Sequence, residues 1–260
     1  MNRLLEFTRS IVLVAFASIW MFGGCKTSSP LANQSTQRSL PIYTDGLLIY
    51  YPFDDNAIDK SGHGNNGTVF GATPTYDRFG AANSAYSFDG TSAYIDIQNS
   101  DTLKFTDAIS LSAWILQKQI GNYPGVISKG NVGNYDESFA LYLSPLNKIG
   151  FLLNHDGSQA GRDLLESDEA IPLNIWTHVA CTFDGFTMCL YVNGSRVAYN
   201  QFQGTIFNTP DDILIGKSDR HSSTTPPTFF DGSIDEVYIF NRILSSDEIL
   251  GLYHTSNKAN

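Results

Sequence analysis

Residues 229–253 read FFDGSIDEVYIFNRILSSDEILGLY, and this stretch decides the fold. The run 232–240 is rich in β-branched and aromatic residues, which predicts a long strand. Ser245 and Glu248 then form a capping box ahead of the apolar run 249–253, which predicts a short helix. We therefore expect the folded part of the chain to close with one strand and one helix.

A β-hairpin is predicted upstream, where residues 176–198 read WTHVACTFDGFTMCLYVNGSRVA and turn at Asp184-Gly185. Its strands contain Cys181 and Cys189, which an oxidising compartment could join. If both strands face one core, the alternation of side chains points Cys181 inward and Cys189 outward. No disulfide is expected unless a β-bulge realigns the two strands.

Eight further β-rich runs alternate with turns rich in Gly, Asn and Asp, which favours an all-β fold. Because 42% of the residues are apolar and only 16% charged, the chain can bury a sizeable core. No repeat or break in composition divides this region, so one domain is expected at 45–256. The predicted strands are 47–53, 84–88, 93–97, 108–115, 125–129, 138–143, 148–153 and 212–216.

The amino terminus resembles the signal peptide of a bacterial lipoprotein. Within residues 1–24, Arg3 and Arg9 precede an apolar run too short to span a bilayer as a helix. Cys25 follows Gly23 and Gly24, and the cysteine that is acylated in such signals also follows two small residues, although Phe22 stands where Leu is usual. The resemblance implies an exported protein of the cell envelope, held in the membrane by lipid at Cys25. Ordinary secretion and a retained anchor are the alternatives.

The segment 25–44 is polar and rich in Ser and Pro, which predicts a flexible tether. The net charge of −10 and the absence of clustered Lys and Arg argue against a nucleic-acid partner. An acidic surface rich in Asp and Asn fits calcium or neutral sugars better, although simple solubilisation explains most of these residues.

Four segments, in this order, resemble the laminin G-like subgroup of the concanavalin A-like lectin/glucanase superfamily. They are YYPFDDNAIDKSGHGNNGTVFGA (50–72), AYSFDGTSAYIDI (85–97), the hairpin 176–198, and ILIGKS (213–218) together with 229–253. The resemblance implies a jelly-roll sandwich of two antiparallel sheets with one short C-terminal helix. It further implies a sugar-binding or adhesion module that often holds a calcium ion.

A structural calcium site is predicted from this resemblance and from the loop 59–67. The loop is rich in oxygen atoms, and its glycines allow carbonyl groups to converge, but Phe70 stands where an EF-hand requires Glu. The alternative is a turn held by side-chain hydrogen bonds, with Asp235 paired to a Lys or Arg. The candidate metal ligands are Asp59, Asn66, Asp235 and the backbone carbonyls of Gly62 and Gly67.

Candidate ligand contacts lie in polar, glycine-containing loops. Tyr123 and Tyr135 offer aromatic rings, and Asp156 and Arg162 offer charged groups in one stretch between strands. A tyrosine in such a loop is also commonly a packing residue, so that alternative stays open. Trp114 lies within a strand pattern and is expected in the core.

The sequence argues against an enzyme. Glucanases of the superfamily carry Glu-x-Asp-x-x-Glu on one strand, but Ser233 and Tyr238 replace both glutamates around Asp235. Two carboxylates about 5 Å apart are needed for a retaining glycosidase. The expected function is therefore a non-catalytic module that binds a glycan. The alternatives are an adhesion or assembly module for a cell-surface protein and, less favoured, an enzyme acting on polysaccharide.

Overall fold

Short antiparallel strands make up most of this computed structural model, which describes residues 43–130, 135–218 and 227–255. All eleven predicted strands and the predicted helix are confirmed within these residues. The strands are β1 Leu47–Tyr51, β2 Thr68–Phe70, β3 Thr73–Thr75, β4 Ala85–Asp89, β5 Tyr94–Ile97, β6 Ile109–Gln117, β7 Gly125–Lys129, β8 Phe139–Leu143, β9 Lys148–Asn154, β10 Arg162–Ala170, β11 Thr177–Phe183, β12 Thr187–Val192, β13 Ser195–Gln201, β14 Ile213–Ile215, β15 Lys217–Ser218, β16 Thr228–Phe229 and β17 Asp231–Phe240; the helix α1 is Ser246–Thr255.

Two large sheets contain nearly all of these strands. The eight-stranded sheet has the order β13-β12-β11-β6-β17-β4-β3, with β1 also paired to β17. The seven-stranded sheet has the order β10-β9-β8-β7-β14-β5-β2, and β15 pairs with β16 in a separate ribbon. The expected all-β jelly-roll sandwich of two antiparallel sheets with one C-terminal helix is confirmed. The predicted signal peptide, Cys25 and most of the predicted tether lie outside the described residues.

The main core lies between the two sheets and follows from the alternation of side chains. Leu111 of β6 and Val179 of β11 face Leu141 of β8 and Phe151 of β9, and all four side chains are fully buried. Each such side chain stabilises the fold by about 1.5–3 kcal/mol relative to an exposed one. The sandwich is therefore held by both inner faces together.

The two cysteines confirm the predicted register. Cys181 pairs with Leu190 across the hairpin, and Cys189 pairs with Thr182. Cys181 lies in the main core, whereas Cys189 belongs to a second apolar cluster on the other face of the sheet. Both thiols are free, and burial raises the pKa of Cys181.

A β-bulge shapes the long strand β17. Asp235 pairs with Trp114 of β6 and Tyr238 pairs with Ser112, so three steps on β17 match two on β6. Glu236 adopts a left-handed φ of 52° at this point. The extra residue lets Ile234 and Val237, three positions apart, both face the main core.

Helix α1 covers the outer face of the eight-stranded sheet. The predicted capping box is confirmed, because Glu248 N donates to Ser245 Oγ at 3.2 Å and Ser245 N donates to Glu248 Oε2 at 2.9 Å. Ile249 and Leu252 pack onto the second apolar cluster, with Tyr43 against its border. Within the described residues, no helix has the length and apolar character needed to cross a membrane.

Candidate functional site

The outer faces of the two sheets differ. On the eight-stranded sheet, α1 buries the outward side chains in the second apolar cluster. On the seven-stranded sheet, outward side chains of β8 and β9 form only a small cluster of Ala140, Tyr142 and Leu152, with Tyr123 packed at its border. Leu164 of β10 beside them is 54% exposed. This outer surface is called the open face below.

A depression of about 290 Å³ lies on the open face and is called the tyrosine groove. Its floor forms because Phe139, Leu141 and Leu143 face the core, which turns the intervening residues of β8 outward. Tyr142 lies over Gly150, its cross-strand partner, where any β-carbon would clash with the ring. The lining residues are Tyr123, Ala140, Tyr142, Leu152, Arg162, Leu164 and Ser218.

Tyr123 and Tyr135 adopt unusual backbone conformations. Their φ angles are 59° and 65°, in the left-handed region that bulky side chains rarely adopt. Such strain is held in place only by the surrounding structure, and it concentrates at functional sites. Thr228 Oγ1 donates to the Tyr123 carbonyl at 2.8 Å and so ties this turn to β16.

Arg162 supplies the positive charge of the groove. Its guanidinium carbon lies 5.2 Å from the centre of the Tyr135 ring, a cation–π contact. It also forms an ion pair with Glu137, whose side chain is completely buried. Burial raises the pKa of Glu137, while the charge of Arg162 opposes that rise. Glu137 was not predicted from the sequence, since nothing local marks it as a partner for a residue on β10.

A carboxylate forms a hydrogen bond with the tyrosine at the floor of the groove. The Tyr142 hydroxyl donates to Glu166 Oε1 at 3.0 Å. Burial, and next the nearby charge of Glu166, raise the pKa of Tyr142 far above its ordinary value. The groove therefore combines ring faces, an aliphatic wall and a few fixed polar groups, which is the usual composition of a small-ligand site.

The predicted ligand contacts are partly brought together. Tyr123 and Arg162 line the groove, and Tyr135 contacts it through Arg162. Asp156 lies instead in the turn between β9 and β10, where its Oδ1 accepts from Ser158 N at 2.9 Å. The hydrogen bonds from the Ser158 side chain and then from its backbone N–H lower the pKa of Asp156. Trp114 is buried as predicted, but it lies beneath α1, stacked on Tyr253, rather than between the sheets.

Asp59 is the centre of a closed hydrogen-bond network. Its Oδ1 accepts from Tyr50 N at 3.0 Å and Ser61 N at 2.8 Å. Its Oδ2 accepts from Ser61 Oγ at 2.8 Å and Asn65 N at 3.0 Å. A carboxylate has about four lone-pair sites, so these donors engage all of them. Asn66 Oδ1 in turn accepts from Asp59 N at 2.9 Å.

Asp235 belongs to a buried ion pair. Its Oδ2 lies 2.7 Å from Arg78 Nη1, and the two side chains are 0% and 5% exposed. Its Oδ1 accepts from Glu236 N at 2.7 Å. The alternative of a Lys or Arg partner is therefore the arrangement found, and it compensates the cost of burying the charge.

Calcium requires six to eight oxygen ligands, which Asp59, Asn66, Asp235 and the Gly62 and Gly67 carbonyls were predicted to supply. Asp59 and Asp235 each accept from protein donors, and Gly62 and Gly67 lie in the Asp59 loop. Among the described residues, no group of three or more His, Cys, Asp and Glu side chains is placed to hold a metal ion. Calcium stays a prediction of the resemblance.

The sequence matches a model of one known protein family. The family model described as concanavalin A-like lectin/glucanases superfamily, of the laminin G type, matches residues 89–250, more than half of the chain. The chain belongs to this superfamily. Comparison of this laminin G-type domain with curated proteins finds no match in sequence.

Solved structures share the fold of this laminin G-type domain at low sequence identity. The binding domain of Paraclostridial mosquitocidal protein 1 is 17% identical with a TM-score of 0.64, over 82% of this chain and 53% of that one. Domain 4 of a Geobacillus stearothermophilus arabinanase, in complex with arabinotriose, is 19% identical with a TM-score of 0.60, over 80% and 98%. A botulinum neurotoxin type C structure is 15% identical with a TM-score of 0.65, over 84% and 53%. The chain thus spans about half the length of the toxin chains.

Proposed function

We propose that this domain is a non-catalytic module that binds a glycan through the tyrosine groove. The observation that carries the proposal is the open face: helix α1 covers the eight-stranded sheet, whereas a groove lined by aromatic, aliphatic and charged side chains opens on the seven-stranded sheet. Sugar rings have apolar faces that pack on aromatic rings and hydroxyls that bond to charged groups. Tyr123, Tyr142 and Arg162 supply both kinds of contact.

The similar structures support this proposal by analogy of fold. The arabinanase domain is described in complex with arabinotriose, and cell entry of the type C neurotoxin is described as dependent on two ganglioside molecules. A shared fold does not by itself carry a function, and the groove is therefore the main support for glycan binding.

The acidic residues of β17 support a non-catalytic role. Asp235 is paired with Arg78, and Glu236 Oε2 accepts from Tyr50 and Tyr238 hydroxyls at 3.1 Å and 2.8 Å. Both carboxylates are buried on the eight-stranded sheet, away from the groove. A glycosidase instead needs two carboxylates that reach the scissile bond from opposite sides.

Glycan binding is tested by two measurements. The first is retention in affinity gels that contain arabinan, xylan, galactomannan or polygalacturonate, and the second is binding to a glycan array that includes sialylated chains. We expect retention of residues 26–260 by at least one glycan. Tyr123→Ala and Arg162→Ala are expected to abolish it. Tyr199→Ala and Arg196→Ala are controls of the same residue types, because they remove an exposed tyrosine and an exposed arginine on the edge strand β13, where the guanidinium carbon lies 5.0 Å from the ring centre.

Three outcomes would point elsewhere. Retention that survives both groove variants would place the glycan on another surface. No retention by any glycan would contradict the proposal and favour the alternative of a protein-binding adhesion or assembly module. Release of reducing sugar during the gel assay would support the enzyme alternative.

We also propose that the module is exported and anchored in the cell envelope by lipid at Cys25. The support is the sequence of residues 1–25, which combines a basic start, a short apolar run and a cysteine after two glycines. Several acyl chains on one cysteine bind a bilayer firmly, since each buried CH₂ contributes about 0.8 kcal/mol.

A further inference from the structure

A second depression, of about 230 Å³, lies on the same open face. Tyr94 and Asp96 of β5 and Leu214 of β14 line it, because Ile95, Ile213 and Ile215 face the core and turn their neighbours outward. Lys217 of β15 also lines it, at the edge nearer the tyrosine groove. The lining again combines an aromatic ring, an aliphatic side chain and charged groups.

The aromatic ring that lines this depression is held in place by its neighbours. The Tyr94 ring stacks on Phe70 with centres 4.8 Å apart and planes 12° apart. Lys217 Nζ lies 4.7 Å from the centre of the Tyr94 ring. Stacking on Phe70 fixes the ring, which lowers the conformational entropy lost when a ligand packs on it.

The polar side offers hydrogen-bond acceptors. Asp96 Oδ1 is buried, accepts from no donor group among the described residues and interacts with the neighbouring Asp212 carboxylate. Burial, together with the neighbouring charge of Asp212, raises the pKa of Asp96. Asp212 Oδ1 accepts from Asn99 N at 2.7 Å, which holds that carboxylate at the border of the depression. The Asp96 and Asp212 side chains both line the depression, and ligand hydroxyls can donate to the accessible oxygens of such carboxylates.

The ribbon of β15 and β16 lies between the two depressions. Ser128 Oγ of β7 donates to the Lys217 carbonyl at 2.8 Å, and Gly125 leaves room for that carbonyl to approach β7. Neighbouring residues of a strand point in opposite directions, so Ser218 lines the groove while Lys217 lines the second depression. One short element therefore serves both sites.

The spacing of the depressions follows from the order of the strands. The tyrosine groove centres on β9, and the second depression lies over β14 and β5. Three strand spacings separate β9 from β14, a distance of about 14 Å. One sugar ring is too small to contact both.

We infer that the two depressions are subsites of one extended site, and that the ligand is an oligosaccharide chain that crosses the β15–β16 ribbon. This inference rests on the proposed function and adds the class of glycan, an internal stretch of a chain rather than a single terminal sugar. Tyr94 and Tyr123 carry the stacking at the two ends, and Lys217 and Arg162 carry the charged contacts.

Isothermal titration with oligosaccharides of one to six units tests the inference, with arabinose oligomers first and then oligomers of any other retained polysaccharide. We expect affinity to rise by about tenfold or more from the shortest oligomer that binds to the longest. Tyr94→Ala and Lys217→Ala should each weaken binding of the longest oligomer by about tenfold and leave the shortest unchanged. Tyr123→Ala should weaken binding of both the shortest and the longest oligomer. Tyr199→Ala is the control, and thermal melts show that each variant folds.

Each contrary outcome has a distinct meaning. If affinity does not change with chain length, or if Tyr94→Ala and Lys217→Ala bind the longest oligomer as the parent does, the second depression is not a subsite. The proposed function then stands, provided that Tyr123→Ala still abolishes retention. If no oligosaccharide or polysaccharide binds, both the inference and the proposed function fail.

Discussion

Asp59 illustrates how hydrogen bonds from the protein alone can hold a charged side chain that is 7% exposed. Asp59→Ala leaves the N–H groups of Tyr50, Ser61 and Asn65 without their acceptor. We expect the free energy of unfolding to fall by about 3 kcal/mol. The melting temperature should fall by about 6–12 °C, measured by thermal denaturation. Asp184→Ala is the control, because its carboxylate accepts from two N–H groups in an exposed turn.

The same melts test calcium. Since four donors already engage the Asp59 carboxylate, the hydrogen-bonded arrangement predicts equal melting temperatures in chelator and in excess calcium. Calcium binding would instead stabilise the folded domain by about 2.7 kcal/mol at a hundredfold excess over Kd. A saturable rise in melting temperature that disappears in Asp59→Ala would establish the ion expected from the resemblance.

Lys129 makes stability depend on pH. Its side chain is fully buried, and Nζ donates to Asn99 Oδ1 at 2.6 Å. Burial lowers the pKa of Lys129 from 10.5 to about 8, against the opposing effects of Asp212 and Asp211. The unfolded chain therefore binds more protons between these two values, so the free energy of unfolding rises with pH across that window.

Lys129→Met should flatten this dependence. Urea denaturation of both proteins from pH 7.5 to pH 10.5 measures it, because the other titrating groups are common to both chains. The free energy of unfolding is plotted against pH for each protein, and the difference between the two slopes is the contribution of Lys129. Parallel slopes would show that this ammonium is solvated in the folded state.

Helix α1 is the element on which the buried outer face depends. Leu252 is 3% exposed against the second apolar cluster, whereas Leu250, two positions earlier, is 40% exposed. We expect Leu252→Ala to lower the free energy of unfolding by about 2–5 kcal/mol. Leu250→Ala is the matched control and should change it by less than about 0.5 kcal/mol. Urea denaturation measures both, and equal effects would contradict the assigned packing.

Elements with a clear pattern were predictable from the sequence, and edge elements were not. The hairpin of β11 and β12 alternates apolar side chains, so its register placed Cys181 inward and Cys189 outward correctly. The strands β10 and β13 were missed, because RDLLESDEA and SRVAYNQ lie at sheet edges and expose most of their side chains. An edge strand needs no apolar alternation, so no pattern marks it.

The candidate site was predictable only in its local parts. Tyr123 and Arg162 were predicted from the composition of their loops and line one groove. The partner of Arg162 is Glu137, and the partner of Asp235 is Arg78, 157 residues away in sequence. Pairings of this kind come from the topology of the sheets rather than from the neighbouring sequence.

At the scale of the whole molecule, the proposed anchor makes a direct prediction. Cells that express the full chain with labelled palmitate should yield a labelled protein in the membrane fraction. Cys25→Ser should remove the label and release the protein, because no acyl chain remains to hold it. Cys189→Ser serves as the control, since that thiol is buried within the folded domain. Release of an unlabelled parent protein into the medium would indicate ordinary secretion instead.

Tyr43 and the two depressions lie on opposite faces of the domain. Tyr43, where the described chain begins, packs against the cluster beneath α1, on the outer side of the eight-stranded sheet. The groove and the second depression lie on the outer side of the other sheet, across the whole thickness of the sandwich. An antibody bound over α1 and Tyr43 would therefore leave the groove and the second depression open to a polymer arriving from solution.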